Sequence, residues 1–296
     1  MNIATLSHGV RPLRSARCRA TAAELLVSAA RQLRRARVHF GHGTDNATDE
    51  AAMLVYHALQ LKWQWPPERA LARRATPAQQ RRLAVLLDKR IRERTPAAYL
   101  TGETFFAGLP FFIDRRALVP RSPFAELIAT QFAPWIDLRR VRRVLDIGTG
   151  SGCIALAMAR YFPWLRLDAV DISADALELA RRNRRRHRLT RRVRLIRSDV
   201  YAALGTRRYD MIVANPPYVG AREYARLPAE YRHEPPLGLR GGRDGLAVVR
   251  RIVAGAAAHL RPGGVLIVEV GDSERAVRRA WPQVPFTWLE FARGGG

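Results

Sequence analysis

Cysteine is nearly missing from this chain of 296 residues, which has Cys18 and Cys153 and no others. The two stand far apart in unlike contexts, so a disulfide framework and a thiolate metal centre are both excluded, and a reducing, cytoplasmic compartment is the simpler setting. Lysine is equally scarce: of 51 basic residues all but Lys62 and Lys89 are arginine, against only 26 acids, which leaves a formal charge of +25. No apolar stretch reaches the ~18 residues that a membrane-spanning helix needs. His39 and His42 have no cysteine or carboxylate set at metal-ligand spacing beside them, and no metal is expected.

The arginine excess has two readings. Arginine neutralises phosphates and steers association, so transient contact with ribosomal RNA or a pre-ribosomal particle would use it. A coding bias towards arginine would give the same count, because the arginines are spread through most segments. Residues 1–20, with four arginines and no acid, read as a disordered leader, although their composition overlaps with organelle transit peptides.

What is present divides into two patterns. Thr21-Ala-Ala-Glu24 and Thr76-Pro77-Ala-Gln79 have capping-box spacing, the second with proline at the first helical position. DEAAMLVYHALQL (49–61) between them repeats apolar residues at three and four. Residues 21–94 are therefore expected to form a small helical domain for substrate recognition, and 95–122 a linker containing a hairpin, TFFAGLPFFID, that turns at Gly-Leu-Pro. Over 123–296, after a helix expected near 123–135, the strand-like runs RRVLDIG, LRLDAVDI, VRLIRSD, YDMIVANPP and GGVLIVEVG alternate with helical ones. That alternation predicts an α/β fold with a parallel sheet covered by helices on both faces.

The chemistry is concentrated at the strand ends. VLDIGTGSGCIALAMA (144–159) runs from a strand through Gly148, Thr149, Gly150, Ser151 and Gly152 into a helix, where glycines permit a tight turn and a helix N-terminus offers N–H groups to an anion. The dinucleotide fingerprint wants glycine or alanine where Cys153 stands, and Asp146 lies two residues before the first glycine. Asp171 and Asp199 fall at or near the ends of the next two strands, so three acids gather at the one crevice such a sheet forms. Strand four ends on Asn215-Pro216-Pro217-Tyr218. Prolines cannot extend a ladder, but they fix φ and hold a carbonyl outward. The Asn215 side-chain oxygen and the Pro216 carbonyl can each accept one N–H of a planar NH₂ group, which the Tyr218 ring can cover.

These residues resemble a family. DIGTGSG followed by acids after strands two and three is similar to the class I S-adenosylmethionine-dependent methyltransferases, whose fold is Rossmann-like and mostly parallel, and NPPY resembles those that methylate planar nitrogens. FGHGTDNATDEAAMLVYHAL (40–59), AYLTGETFFAGLPFFIDRRALVPRSPFAEL (98–127), LPAEYRHEPPLGLRGGRDGL (227–246) and VPFTWLEF (284–291) resemble the protein N(5)-glutamine methyltransferase family, PrmB type, which acts on the third protein (L-three) of the large ribosomal subunit. The resemblance implies S-adenosyl-L-methionine as cofactor, held by Asp146, Gly148 to Gly152, Asp171, Asp199 and Asn215. It also implies substrate and catalytic contacts at Asn215, Pro216, Pro217 and Tyr218, with Asp146 ordering the glycine loop.

Release-factor glutamine methyltransferases usually show PRPETE-like residues where this chain has Pro120-Arg121-Ser122-Pro123, and they lack the FGHGTDN segment. They remain an alternative, as do N(6)-adenine methyltransferases and a non-catalytic ribosome-assembly factor. Arg121 is expected to hold the linker, the substrate or a surface ion pair. The family usually adds a short apolar strand after the final glycines, so its absence here predicts a gap near VPFTWLEF. The run RRNRRRHRLTRR (181–192) reads as a solvated helix face or as a contact with ribosomal RNA.

Overall fold

A computed structural model of the protein describes residues 20–291. Nearly all of the expected leader, with Cys18, lies outside them. Both capping boxes are present: Thr21 opens α1 (Ala22–Arg35), and Thr76 opens α4 (Pro77–Arg92), each exchanging hydrogen bonds with the residue three places on. Between them, Asn46 accepts the N–H groups of Thr48 and Asp49 to start α2 (Ala47–Leu59), and α3 covers Pro67–Leu71. α5 (Ala97–Thr101) completes the helical part. The apolar stripe of α1, Leu25, Ala29 and Leu33, meets Leu54, Leu83 and Leu87 in one core, and each buried leucine contributes about 1.5–3 kcal/mol over exposure.

The hairpin follows as β1 (Glu103–Phe106) and β2 (Leu109–Phe112), antiparallel. Its turn is Ala107-Gly108, both at positive φ (46° and 74°), and not the expected Gly-Leu-Pro. The mirror-image two-residue turn matches strand twist, which leaves Pro110 inside β2 opposite Phe105. α6 (Phe124–Ala129) stops well short of residue 135. Gln131 and Phe132 turn to φ 55° and 61°, which drops the Phe132 ring into the core.

From there strand and helix alternate: β3 (Arg143–Ile147), α7 (Cys153–Tyr161), β4 (Arg166–Asp171), α8 (Ala174–Arg186), β5 (Val193–Arg197) and β6 (Tyr209–Ala214). Short helices α9 (Ala221–Tyr224) and α10 (Pro236–Leu239) precede α11 (Ala247–His259), β7 (Leu260–Val268) and α12 (Glu274–Ala280). Among the described residues the strands form one parallel sheet in the order β5-β4-β3-β6-β7. The chain order reverses between β3 and β6, so a crevice opens at the carboxyl ends of those two strands. β7 is the edge. Residues 284–291 do not pair as a strand, and an apolar cavity of about 380 Å³ lies between Trp135, Phe286, Trp288 and β7.

Buried charges fasten the helical part to the sheet. Arg90 of α4, with no exposed surface, donates to Glu50 of α2 (2.6 Å), to Glu230 (3.1 Å) and to the His39 carbonyl (2.7 Å). Glu230 belongs to the segment that follows β6, so a single guanidinium joins α2, α4 and the neighbourhood of the crevice. Burial pushes the Glu50 carboxyl upward against the pull of Arg90. Burial also works against charge on Glu230, yet the His39 N–H and Arg90 hold its pKa below the usual range.

Candidate active site

The β3–α7 loop is shaped by positive φ at Gly148 (73°), Gly150 (56°) and Gly152 (83°). Most of its donors face inward, unlike the expected anion cradle: Gly148 and Thr149 both give their N–H to the Val170 carbonyl of β4 at 2.9 Å. Asp146 lies beneath the loop with no exposed surface and accepts the Thr149 hydroxyl at 2.6 Å. Desolvation pushes its carboxyl up to about 7. The crevice wall takes in Gly148, Thr149, Gly150 and Ser151, with Asp146 and Gly152 packed behind them. Gly152 is a packing point, because a Cβ there would come within 3.0 Å of Leu156 and 3.3 Å of Ala180.

Asp171 closes β4 and accepts the Gly150 N–H at 2.8 Å on one oxygen and the Ser173 N–H at 2.9 Å on the other. Burial raises its pKa while these bonds oppose the rise. Each oxygen keeps a lone pair for a vicinal diol. Asp199, two residues past β5, also lines the crevice but is half exposed and paired with Arg251 of α11 at 2.8 Å. Nothing in the sequence separated Arg251 from the other arginines.

Asn215 is the first residue after β6, and its backbone stands over the loop: a Cβ on Gly148 would lie 3.4 Å from the Asn215 carbonyl oxygen. Pro216, Pro217 and Tyr218 line the same crevice, a cavity of about 390 Å³ that also takes in the 116–122 linker and parts of 223–239. The Tyr218 hydroxyl donates to Glu269 at 2.9 Å, and the Ser122 hydroxyl donates to the other oxygen of Glu269 at 2.5 Å. Burial raises the Glu269 pKa against those two bonds. Glu269, at the end of β7, was missed in the sequence reading, although a lone acid after an apolar run near the chain's end repeats the pattern of Asp171.

Arg121 lines the crevice and holds the linker to the segment that follows β6. It makes two 2.7 Å bonds to Glu234, whose side chain is fully buried and also accepts the Val119 N–H. Burial works against the Arg121 charge, and Glu234 overcomes it. His42 lies 3.6 Å from Glu234, but burial lowers its pKa to about 3, so it is a neutral neighbour packed on Tyr231. Among the described residues no group of His, Cys, Asp and Glu is placed to hold a metal ion, and no helix is long and apolar enough to cross a membrane. After the proline pair, Val219 forms an isolated parallel bridge to Arg240, with Val219 N–H to Leu239 O and Gly241 N–H to Val219 O both at 2.9 Å.

Comparison with known proteins agrees with this geometry. The family described as Methyltransferase small domain matches residues 127–227. The hMettl16 catalytic domain, solved in complex with the MAT2A 3'UTR hairpin 1, superposes with a TM-score of 0.52 at 18% identity, over 83% of this chain and 87% of that one. A parallel sheet, a glycine turn after its first strand and acids at the following strand ends define a class I methyltransferase, and this chain is one. Ribosomal protein uL3 glutamine methyltransferase of Xylella fastidiosa (strain Temecula1) is 51% identical over 93% of this chain and 87% of its own. The protein of the same name from Bordetella pertussis is 46% identical over 92% and 91%. The chain belongs to the ribosomal protein uL3 glutamine methyltransferase family.

Proposed function

We propose that this enzyme transfers a methyl group from S-adenosyl-L-methionine to the side-chain amide nitrogen of a glutamine in ribosomal protein uL3. The observation that carries the reading is the meeting of two strand ends. Asn215-Pro216-Pro217-Tyr218 lies directly over the Gly148–Gly152 turn, in one crevice with Asp171. The names of the two relatives above support the substrate.

The residues present suit the cofactor. A cavity of about 390 Å³ falls in the ordinary range for small-molecule sites. Asp171 has the free lone pairs a ribose diol needs, and Glu223 adds a carboxylate to the crevice wall. When bound, the cofactor supplies a methyl group on a sulfonium, an activated leaving group that needs neither a metal nor a protein nucleophile.

The enzyme's own task is to make an amide nitrogen reactive. Its lone pair is shared with the carbonyl, a conjugation whose full loss costs about 18–20 kcal/mol by the rotation barrier of a peptide bond. The Asn215 side chain, which makes no hydrogen bond of its own among the described residues, accepts one substrate N–H, and the Pro216 carbonyl accepts the other. Both shift density towards nitrogen. Holding the nitrogen in line supplies about 7–11 kcal/mol as orientation. The bond from the Tyr218 hydroxyl to Glu269 holds the ring in place.

The test is to incubate the protein with labelled S-adenosylmethionine and, separately, uL3, a release factor and DNA, and to map the label by mass spectrometry. Label is expected on a uL3 glutamine. Asn215→Ala should lower transfer by about 100- to 1,000-fold, as for other preorganised polar contacts to a reacting group. Full transfer by that variant, or label on adenine, would sink the reading.

A further inference from the structure

At one end of the sheet domain several arginines are crowded together. At the amino ends of the strands, opposite the crevice, Arg143 pairs in register with Arg166, and Leu167 pairs with Val193, so Arg192 stands level with Arg166 on the next strand. Neighbouring strands lie about 4.8 Å apart, and like charges facing each other across them are destabilising. Arg192 reports this crowding: burial lowers its pKa, and Arg166 and Arg160 lower it further. Among the described residues none of these four has a carboxylate partner, and Arg143, Arg160 and Arg166 are exposed.

The acids of this end are already satisfied. Asp137 is taken by Arg139 and Arg140, Asp210 by Arg261 and the N–H groups of Arg142 and Arg143, and Asp168 by the Tyr209 hydroxyl. By contrast, four arginines on the body of α8 lie within 4 Å of a carboxylate: Arg181 and Arg185 share Glu178, Arg182 shares Asp114 with Arg116, and Arg186 meets Glu103, while Arg184 donates to the Val193 carbonyl. Within the run at 181–192, Arg192 belongs to the cluster at the strand ends. Tyr161 and Trp164, 47% and 40% exposed, stand between Arg160 and Arg166 in the same rim.

We infer that this end of the sheet is a docking surface for single-stranded RNA, reached while the crevice on the opposite end engages its protein substrate. Arginine forks match phosphate oxygens, and exposed rings between them stack bases. A membrane would need an apolar helix face, whereas this rim is built from strand ends and turns. The choice of RNA over single-stranded DNA rests on the proposed ribosomal substrate; the charge and ring pattern does not.

The experiment is fluorescence anisotropy of the full chain with a labelled single-stranded RNA of about 16 nucleotides, between about 50 and 200 mM salt. Log affinity should fall linearly with log salt. The combined variant Arg143→Gln, Arg166→Gln, Arg192→Gln should reduce that slope by about 2 and weaken binding at least about tenfold at low salt. The same three positions changed to lysine should keep the slope, which shows that charge and not folding is being read. Changing Arg181, Arg182 and Arg185 to glutamine should have little effect, and Trp164→Ala should weaken binding by about 5-fold or more. Absence of salt-dependent RNA binding, an unchanged triple-glutamine variant, or tighter binding to phosphatidylserine vesicles or to DNA of the same sequence would overturn the inference. Methyl transfer to isolated uL3, measured in the same samples, should not change in the triple variant. If the parent binds RNA through these arginines yet never labels uL3, the substrate reading fails and the surface stands.

Discussion

Replacing Arg90 by methionine tests how the helical part is joined to the crevice. The substitution roughly keeps the buried aliphatic stem and removes the guanidinium, leaving the carboxylates of Glu50 and Glu230 and the His39 carbonyl without their shared donor. Breaking a buried pair from one side costs about 3–5 kcal/mol. At about 2–4 °C per kcal/mol for a chain of this size, the unfolding temperature should drop by roughly 6–20 °C at neutral pH.

The loss should depend on pH in a defined direction. Without Arg90 the Glu50 carboxyl, already raised by burial, loses its opposing charge, and Glu230 loses one of the donors that hold its pKa down. A carboxyl raised in this way stabilises the fold below its unfolded pKa, and this contribution disappears as pH rises through the folded value. The deficit of the variant should thus be small near about pH 4 and largest near about pH 7. Calorimetry across that range measures it, and adding Glu50→Leu with Glu230→Gln should recover most of the loss. A variant within about 2 °C of the parent at all pH values would refute the claim that this charge cluster carries the junction.

Three further outcomes are expected. Gly150→Ala puts a side chain on a φ of 56°, which should cost about 1–2 kcal/mol in denaturant unfolding and weaken cofactor binding by calorimetric titration, since Gly150 also donates to Asp171. Asp146→Asn should stabilise the protein at pH 8 relative to the parent and lose that advantage near pH 4. The parent carboxyl is raised to about 7 in the fold, so it loses stability as pH climbs from its unfolded value through 7; thermal melts at the two pH values check this. Tyr218→Phe leaves one Glu269 oxygen without its donor and should cost about 1–3 kcal/mol. Its transfer rate should fall more than its KM rises, because the ring remains but its orientation is no longer fixed.

Local signals made most of the fold legible. Both capping boxes depend on residues three apart, and the strands on runs of five or six, so Thr21, Thr76 and the alternation after Arg143 could be read directly. The motif residues Gly148, Asp171 and Asn215 also gather at one crevice as anticipated. What escaped were long-range pairings. Arg90 meets Glu230 across 140 positions and Ser122 meets Glu269 across 147. In a chain with 51 basic residues nothing local distinguishes the arginine that is buried from those that are solvated. The depth of Asp146 and the pairing of Arg251 escaped for a related reason: both depend on which neighbours arrive later in the chain.

The bridge between Val219 and Arg240 has an evolutionary reading. The chain leaves the proline pair, makes its excursion and returns to a point one hydrogen-bonded rung away, so the intervening segment is closed at its base like a purse. Lengthening a closed excursion costs only about 0.6 kcal/mol per doubling, and the anchor beneath it need not move. Changes of length in that segment are therefore tolerable where they spare Glu230 and Glu234, which tie it to Arg90 and Arg121.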